Sequence, residues 1–587
     1  MRDPVIDNEG NSYEREKIEE WLKRGNMTSP LARTVLTVDM LKPNCGLRNA
    51  IESFLSCCGS KGSGGGVPEE RGGREKEEKV NPVTLQTYTL PKEDGNTQIV
   101  DVCVCVPTSG PRIALELVVV IDVSEPMWNP ATIMEAGVSK DIGFSMLDVV
   151  KHTLRLLIAA LGPEDKLGLV AFSTQAKVVQ ELTFVTSANK GLIEAKVLQL
   201  QAEGVTNMWD GLRLGLKVLE TGRTGRPEAG STMLFMTGGL PSAHLTPARG
   251  IVTTLERALS RLPFSAPAVH TMGFGYNFDM GLVLSLAKLG HGTFSCIPDS
   301  SFVETVLVHW VANLYCTFAQ RAALLIEYVA VDRVCVREAE VVGVTGYRNE
   351  FPVVLGGLQY GQNRDVQLKV QGDPRGLRAV LVYTPCVGRW AGKVQMAAKP
   401  VVGAYAEVVG EQQQQAAVMK LHAETPRLRF VEALSEVVEA CDTRCDFKSA
   451  REEVATFIRS CEWGTGGAAA VKAAVGVLDD AQGQVTLALS TENIYQQWGR
   501  SYLLSLLLAH RQQRCTNFKD LGLAGYGGKM FNEERDRIGD LFSLVPPTVP
   551  LQVQTGRNGT DAGVNRHARR VRKWKREALS GYSKGTM

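Results

Sequence analysis

The side chains best suited to metal or redox chemistry in this 587-residue chain are its thirteen cysteines. A Cys-x-x-Cys pair would indicate a zinc site or a reactive dithiol, but the cysteines are scattered and form no such pair. Cys441 and Cys445 come closest, and their i, i+4 spacing predicts that they share one face of a helix. We therefore predict free thiols, which are typical of a reducing compartment and favour a cytoplasmic protein.

Nucleophilic, acid–base and phosphate-binding patterns are also missing from the sequence. No serine or cysteine lies in a nucleophile elbow or a triad spacing, and no Walker loop occurs. Gly273-Phe274-Gly275 is too short for a dinucleotide fingerprint. His270 and His291 lack a paired nucleophile, so we interpret both as structural histidines. The sequence thus predicts no catalytic residue that forms a covalent intermediate.

Charge and hydropathy limit the possible partners. A formal net charge of +2 predicts no general attraction to nucleic acid. No uninterrupted apolar stretch is long enough to cross a bilayer, and no signal peptide is recognisable, so we expect no membrane association. The basic residues near the C-terminus have two interpretations: a solvated tail, or a nuclear-localisation or RNA-binding patch that would place the protein in the nucleus.

The elements of the central part alternate between strands and helices. Leu115–Ile121 is an almost wholly apolar run that ends in Asp122, as expected of a buried parallel strand. Strand and helix patterns then alternate up to about Tyr328, which predicts a doubly wound α/β sheet. Strand-like runs before and after this part predict a β-sandwich, and the region after Tyr405 has mainly helical periodicity.

The central motifs resemble those of von Willebrand factor A (VWA) domains. The resemblance rests on five segments in family order: Ile121–Met127, Asp165–Ser173, Gly204–Leu212, Leu234–Gly239 and His270–Gly275. It implies a Rossmann-like fold with a divalent-cation site at the carboxyl edge of the sheet. Short motifs at 516–520 and 526–529 further resemble the helical (Vwaint-like) region that follows the A domain in VWA/Hint-type proteins.

The family's metal site is only partly conserved in this chain. The resemblance carries Asp122, Ser124 and Thr206 over as candidate ligands, while Pro126 and Gly238 replace a serine and an aspartate. Losing two oxygen ligands, one of them charged, weakens a Mg²⁺ site. Two alternatives follow: Glu125 or waters complete a Mg²⁺ shell, or the surviving residues only hydrogen-bond the loops together. We favour the second, and Mg²⁺ is the cofactor under the first alternative only.

The first residues resemble a U-box, the zinc-free relative of the RING finger. The resemblance rests on Arg2–Ile6, Asn8–Arg15, Ile18–Leu22, Ser29–Leu31 and Leu41–Ile51, in the family's order. Cys45 is the only thiol before Leu55, so hydrogen bonds and packing must replace a zinc framework. We therefore expect no zinc. The family's first loop is expected to precede Met1.

The U-box resemblance implies a surface that recruits a ubiquitin-conjugating enzyme. Trp21 on the central helix, Pro30 and Leu31 in the second loop, and Arg33 nearby correspond to the family's docking positions. The leading hypothesis is a U-box-type ubiquitin-protein ligase whose VWA body binds substrate or partner proteins, and many such ligases form homodimers. The alternative is a non-catalytic interaction scaffold with a degenerate U-box and a degenerate metal site.

The predicted fold is multidomain: a small α+β U-box, a doubly wound α/β VWA domain, a β-sandwich and a helical C-terminal region. The expected boundaries are 1–55 for the U-box, 56–84 for a Gly/Ser-rich and charged linker, 85–112 for strands of the sandwich, 113–322 for the VWA domain, 323–404 for the rest of the sandwich, 405–545 for the helical region and 546–587 for a disordered basic tail.

Overall fold

The computed structural model describes eighteen stretches of the chain, which divide between two compact units, one within 1–78 and one within 79–587. The described residues are 4–6, 12–23, 28, 35–43, 83–91, 97–135, 138–223, 230–275, 277–297, 302–328, 336–341, 353–372, 374–386, 391, 394–400, 411–460, 467–517 and 520–545.

The N-terminal unit is a three-stranded antiparallel sheet with one helix. Its elements are β1 (Pro4–Ile6), β2 (Ser12–Glu14), α1 (Arg15–Lys23) and β3 (Lys42–Pro43), and the strand order is β2-β1-β3. A small apolar core holds them together, formed by the buried side chains Val5, Ile18, Leu36 and Leu41. The central helix that the U-box resemblance implies is therefore present. The sequence from Cys45 to Leu55 predicts a second helix, which lies outside the described residues.

The second unit begins with the hairpin β4 (Thr84–Pro91) and β5 (Thr97–Cys105), followed by the central sheet. That sheet has the order β10-β9-β6-β11-β12-β13, with β10 as an antiparallel edge strand. Its strands are β6 (Leu115–Asp122), β9 (Lys166–Phe172), β10 (Ala176–Phe184), β11 (Gly230–Thr237), β12 (Ala268–Phe274) and β13 (His291–Ile297). The parallel strands β9, β6, β11, β12 and β13 confirm the doubly wound sheet.

Helices cover both faces of the central sheet. Successive side chains of β6 point to opposite faces, and both sets are apolar, so each face packs against its own layer of helices. Val118 and Val120 belong to one apolar cluster, whereas Leu117 and Val119 belong to another. A separate hairpin, formed by β7 (Pro130–Glu135) and β8 (Val138–Ser145), lies between the end of β6 and the first of these helices. The helices are α2 (Met146–Ala160), α3 (Lys190–Leu198), α4 (Met208–Gly222), α5 (Ile251–Ser260), α6 (Met280–Leu289) and α7 (Val303–Cys316).

Two four-stranded antiparallel sheets form the predicted sandwich. Their orders are β16-β14-β18-β19 and β15-β17-β5-β4, so the early hairpin belongs to the second sheet. The new strands are β14 (Thr317–Tyr328), β15 (Val336–Val341), β16 (Val353–Gln359), β17 (Arg364–Gly372), β18 (Leu377–Pro385) and β19 (Gln395–Pro400). The expected boundary at 322 falls inside β14, which starts at Thr317 directly after α7 and pairs with β18 on both sides of an irregularity between Gln320 and Ala323.

The C-terminal region is helical and has its own apolar core. It contains α8 (Glu411–Asp442), α9 (Phe447–Ser460), α10 (Gly467–Asp480), α11 (Thr486–Ala488), α12 (Glu492–Ile494), α13 (Arg500–Gln512), α14 (Leu521–Ala524) and α15 (Lys529–Leu544). Phe531 and Phe542 of α15 instead join the cluster of the central sheet. The predicted fold class is thus confirmed.

The prediction for Cys441 and Cys445 was wrong. Cys441 is buried near the end of α8, whereas Cys445 lies beyond that end, exposed, with a positive φ of 52°. The helix stops between them, so the two thiols do not share a helical face. Among the described residues, no helix combines the length and apolar character needed to cross a membrane.

Candidate functional site

The structure describes only one of the four predicted docking residues of the U-box. Trp21 lies in α1, near the end of that helix. Pro30, Leu31 and Arg33 lie outside the described residues. Ile18 of the same helix is buried in the small core. The docking surface for a conjugating enzyme therefore stays a prediction.

The carboxyl edge of the central sheet brings the three candidate metal ligands together. Asp122 ends β6 and is fully buried. Its Oδ1 accepts hydrogen bonds from the backbone N–H of Ser124 at 2.9 Å and from the Ser124 hydroxyl at 2.5 Å. Thr206, in the loop before α4, donates its hydroxyl proton to Ser124 Oγ at 2.8 Å. Residues from two loops thus form one hydrogen-bonded chain that ends on the carboxylate.

Thr237 is a fourth member of this cluster that the sequence prediction missed. Its hydroxyl donates to Asp122 Oδ2 at 2.6 Å, and the backbone N–H of Gly238 contacts the same oxygen at 3.4 Å. Thr237 is the last residue of β11, which is the parallel neighbour of β6. A hydroxyl at the carboxyl end of an adjacent parallel strand was the available signal. Both carboxylate oxygens of Asp122 therefore have protein donors.

Burial dominates the electrostatics of Asp122. Removal from water raises the pKa of this carboxyl group, and the hydrogen bonds from Ser124 and Thr237 act in the opposite direction. No cationic side chain contributes to the shift. The carboxylate is thus stabilised by dipolar donors alone, and they replace the water that it loses on folding.

The donor set and the available space do not fit a divalent cation. Pro126 and Gly238 offer no side-chain oxygen, and Mg²⁺ requires several hard oxygen ligands in octahedral geometry. A Cβ added at Gly238 would lie 2.8 Å from Met127 Sδ, and Met127 is fully buried. A Cβ at Gly239 would lie 3.0 Å from Thr206 Oγ1 and 3.3 Å from Pro126 Cγ. The family's aspartate therefore has no room at position 238 unless Met127 shifts.

The surroundings of His270 and His291, the two histidines that the sequence analysis considered, are those of buried, neutral side chains. The backbone N–H of Thr293 donates to His270 Nδ1 at 3.1 Å, and the Thr293 hydroxyl lies 2.7 Å from the same atom. Burial lowers the pKa of His270 to about 3 and that of His291 to about 4, so both rings are neutral near pH 7. Within the described part of the chain, no group of three or more His, Cys, Asp and Glu side chains is arranged to hold a metal.

Comparison with protein families assigns three regions. Residues 1–58 match the U-box domain, residues 117–240 match the von Willebrand factor type A domain, and residues 472–540 match the family described as VWA / Hh protein intein-like. The chain therefore combines an N-terminal U-box with a VWA domain and a Vwaint region, as the sequence motifs indicated. Each match covers less than half of the chain.

Individual relatives match single regions. The chain is 44% identical over 62 residues to U-box domain-containing protein 12 of Arabidopsis thaliana, covering 11% of this chain and 9% of the plant protein. It is 44% identical over 55 residues to WD repeat, SAM and U-box domain-containing protein 1 of Homo sapiens, covering 9% and 12%. The chain thus spans only a small part of the length of these relatives.

Among solved structures, a von Willebrand factor type A protein from Catenulispora acidiphila is similar with a TM-score of 0.43 at 14% identity, covering 67% of this chain and 88% of that protein. The ArnB paralog VWA2 from Sulfolobus acidocaldarius has a TM-score of 0.39 at 15% identity, covering 71% and 98%.

Proposed function

We propose that this protein is a ubiquitin-protein ligase of the U-box type. The observation that carries the proposal is the U-box match over residues 1–58, supported by 44% identity to two U-box proteins in that region. The described part of this domain has an apolar core of Val5, Ile18, Leu36 and Leu41. Packing of this kind can support a small domain without a metal staple.

The proposed mechanism is catalysis by positioning. A U-box forms no bond with ubiquitin; it holds a charged conjugating enzyme so that the thioester meets the attacking amine in a reactive geometry. Trp21, Pro30 and Leu31 would contact the conjugating enzyme, and Arg33 would contact the enzyme–ubiquitin pair. No acid, base or nucleophile of this chain takes part in the reaction.

The VWA body would supply substrate or partner binding. We infer that it does so without Mg²⁺, because protein hydrogen bonds occupy both oxygens of Asp122 and Met127 fills the space beside Gly238. Protein contacts would then come from the side chains around this edge of the sheet, with no cation bridging to the partner.

An autoubiquitination assay tests the ligase proposal. The full chain is incubated with ubiquitin, activating enzyme, ATP and a panel of conjugating enzymes. We expect chains with at least one enzyme and at least about a tenfold loss in Trp21→Ala, the effect of removing one aromatic contact at an interface. Glu16→Ala is the matched control, because Glu16 is exposed on the same helix and is outside the predicted docking set.

A non-catalytic scaffold is the second candidate, favoured by the closed surroundings of Asp122. Absence of ubiquitin chains with every conjugating enzyme would reject the ligase.

A further inference from the structure

A small cavity lies where the central sheet, the sandwich and the C-terminal helices meet. His270 of β12, His291 of β13, Trp310 of α7, Gln359 of β16 and Arg514 after α13 line it, together with smaller polar residues. None of its described lining residues is an aspartate or a glutamate. The walls therefore carry one formal positive charge and no negative charge.

Arg514 is the unusual member of this wall. Its side chain is almost completely buried, at 3% exposure. Nη2 donates to the carbonyl oxygen of Gly357 at 2.8 Å, but Nε has no hydrogen-bond partner among the described residues. Burial lowers the pKa of Arg514 to about 10, and no carboxylate opposes that effect. The guanidinium remains charged at neutral pH, and the carbonyl of Gly357 is its one hydrogen-bond partner among the described residues.

A second buried guanidinium makes the local charge more positive. Arg364 is fully buried, and the charge of Arg514 contributes to lowering its pKa to about 9. By contrast, the buried Arg427 forms an ion pair with Glu424 at 2.7 Å. Burying a charge without a counter-ion destabilises the folded state. Asp365 opposes the lowering of the Arg364 pKa, whereas no carboxylate contributes to the pKa of Arg514.

Neutral donors add to the guanidinium on the cavity wall. The indole N–H of Trp310 has no partner among the described residues, although Trp310 is only 5% exposed. His270 Nδ1 accepts the Thr293 N–H, so the proton of its neutral ring lies on Nε2. A buried donor without an acceptor destabilises the folded state. A ligand that only accepts hydrogen bonds would satisfy them.

We propose that this cavity binds a small inorganic anion, in the size range from chloride to a single phosphate or sulfate. The space open to the centre of a water molecule is about 30 Å³, enough for about two waters or one such ion. An anion would supply the missing charge to Arg514 and accept hydrogen bonds from its Nε and from Trp310. A bulky organic anion does not fit. Binding would stabilise the junction of the three layers.

Thermal unfolding of the full chain tests this site. The melting temperature is followed by circular dichroism in sodium gluconate, which is then replaced by chloride, sulfate or phosphate at constant ionic strength. We expect a saturable rise of about 2 °C or more with at least one small anion. The anion that gives the lowest half-saturation concentration identifies which member of this class the cavity prefers.

Two tryptophan variants separate the site from general salt effects. Trp310→Phe removes one donor and should weaken binding about tenfold, the value of one hydrogen bond to a charged group. Trp498→Phe is the matched control, because Trp498 is also buried with an indole N–H that lacks a described partner, but it belongs to the helical core. Arg514→Lys keeps the positive charge but loses the planar, forked N–H donors of the guanidinium, so it should also lose saturable binding.

The outcomes are decisive in both directions. An equal rise in all variants would indicate general salting-out and overturn the site. No saturable rise with any small anion would show that water alone fills the cavity. If Trp310→Phe does not fold, the comparison of Arg514→Lys with Trp498→Phe decides the question.

Discussion

Asp122 and Arg514 are both buried charged groups of the same unit, but the fold treats them differently. Four hydrogen bonds reach the carboxylate of Asp122, from Ser124, Thr237 and Gly238. Arg514 donates to the carbonyl of Gly357, and its Nε has no described partner. Hydrogen bonds within the protein offset the free-energy cost of burying Asp122, whereas the cost of burying Arg514 is only partly offset. A ligand that pairs with Arg514 would therefore gain more binding free energy than one that competes for Asp122.

This contrast reverses what the family resemblance alone would suggest. The edge of the sheet where VWA domains hold a cation is occupied by the protein's own donors and by Met127. No motif indicated the cavity beside Arg514, which has unused donors and, among its described lining residues, no acidic side chain. Whether a polar site takes a ligand therefore depends on how many partners its atoms already have.

The largest expected effect comes from removing the satisfied charge. Asp122→Ala leaves the hydroxyls of Ser124 and Thr237 without their acceptor, and we expect a loss of about 3 kcal/mol in the free energy of unfolding. Urea unfolding in magnesium-free buffer measures it. Asp141→Ala is the control, because Asp141 is an exposed carboxylate. A variant as stable as the wild type would show that the four hydrogen bonds contribute nothing net.

Asp480 is an intermediate case that sharpens the comparison. It is 2% exposed, and its carboxylate accepts backbone hydrogen bonds from Gly522, at 2.9 Å, and from Leu521. Burial, together with the charge of Asp520, raises the pKa of Asp480 to about 8. Because this folded-state pKa lies above the unfolded value of 3.8, the stabilising contribution is fully present below about pH 4 and is lost as the pH rises to about 8.

Asp480→Asn should remove this pH dependence, because the amide resembles the protonated acid. We expect the variant to be more stable than the wild type by about 1–3 kcal/mol at pH 9, with a smaller difference at pH 5. Unfolding curves at several pH values measure the trend. Asp479→Asn, at an exposed neighbouring position whose charge contributes less to this pKa than burial and Asp520 do, should change the slope much less. If the unfolding free energy of Asp480→Asn varied with pH in parallel with that of the wild type, the raised pKa of Asp480 would be contradicted.

A smaller effect should follow from reopening the closed site. Pro126→Ser and Gly238→Asp restore the oxygen ligands of the family pattern, and Met127→Ala removes the side chain that a Cβ at 238 would contact. The triple variant should gain about 1.4 kcal/mol at a Mg²⁺ concentration ten times its dissociation constant. The wild type should show no saturable change in melting temperature with Mg²⁺. A saturable rise in the wild type would sink the metal-free interpretation.

The smallest effect is expected at the unsatisfied charge. Replacing Arg514 with Met in gluconate removes an uncompensated buried charge together with one hydrogen bond, so stability should stay within about 1 kcal/mol of the wild type. Arg427→Met breaks the buried ion pair with Glu424 and should cost about 3 kcal/mol. Chemical unfolding compares the two. Equal losses would mean that Arg514 has compensation equivalent to that of Arg427.

Much of the fold follows from local patterns in the sequence. The apolar run at Leu115–Ile121 predicts a buried strand. Its side chains alternate between the two faces of the sheet, and both faces must be apolar because each is covered by a layer of helices. The boundary of the sandwich was less predictable, since α7 passes directly into β14 at Thr317 without a turn signal. The end of α8 before Cys445 was missed because that residue adopts a positive φ without being glycine.

The sequence by itself determined which oxygen ligands are absent, since Pro126 and Gly238 cannot coordinate a cation through their side chains. It also determined the apolar faces that build the sheet and the helices. Only the tertiary structure decided that Thr237 completes the partners of Asp122, and that Arg514 meets Trp310 and His270 in one cavity. Local periodicity encodes which face of an element is buried, whereas contacts between distant segments arise from the packing of whole layers.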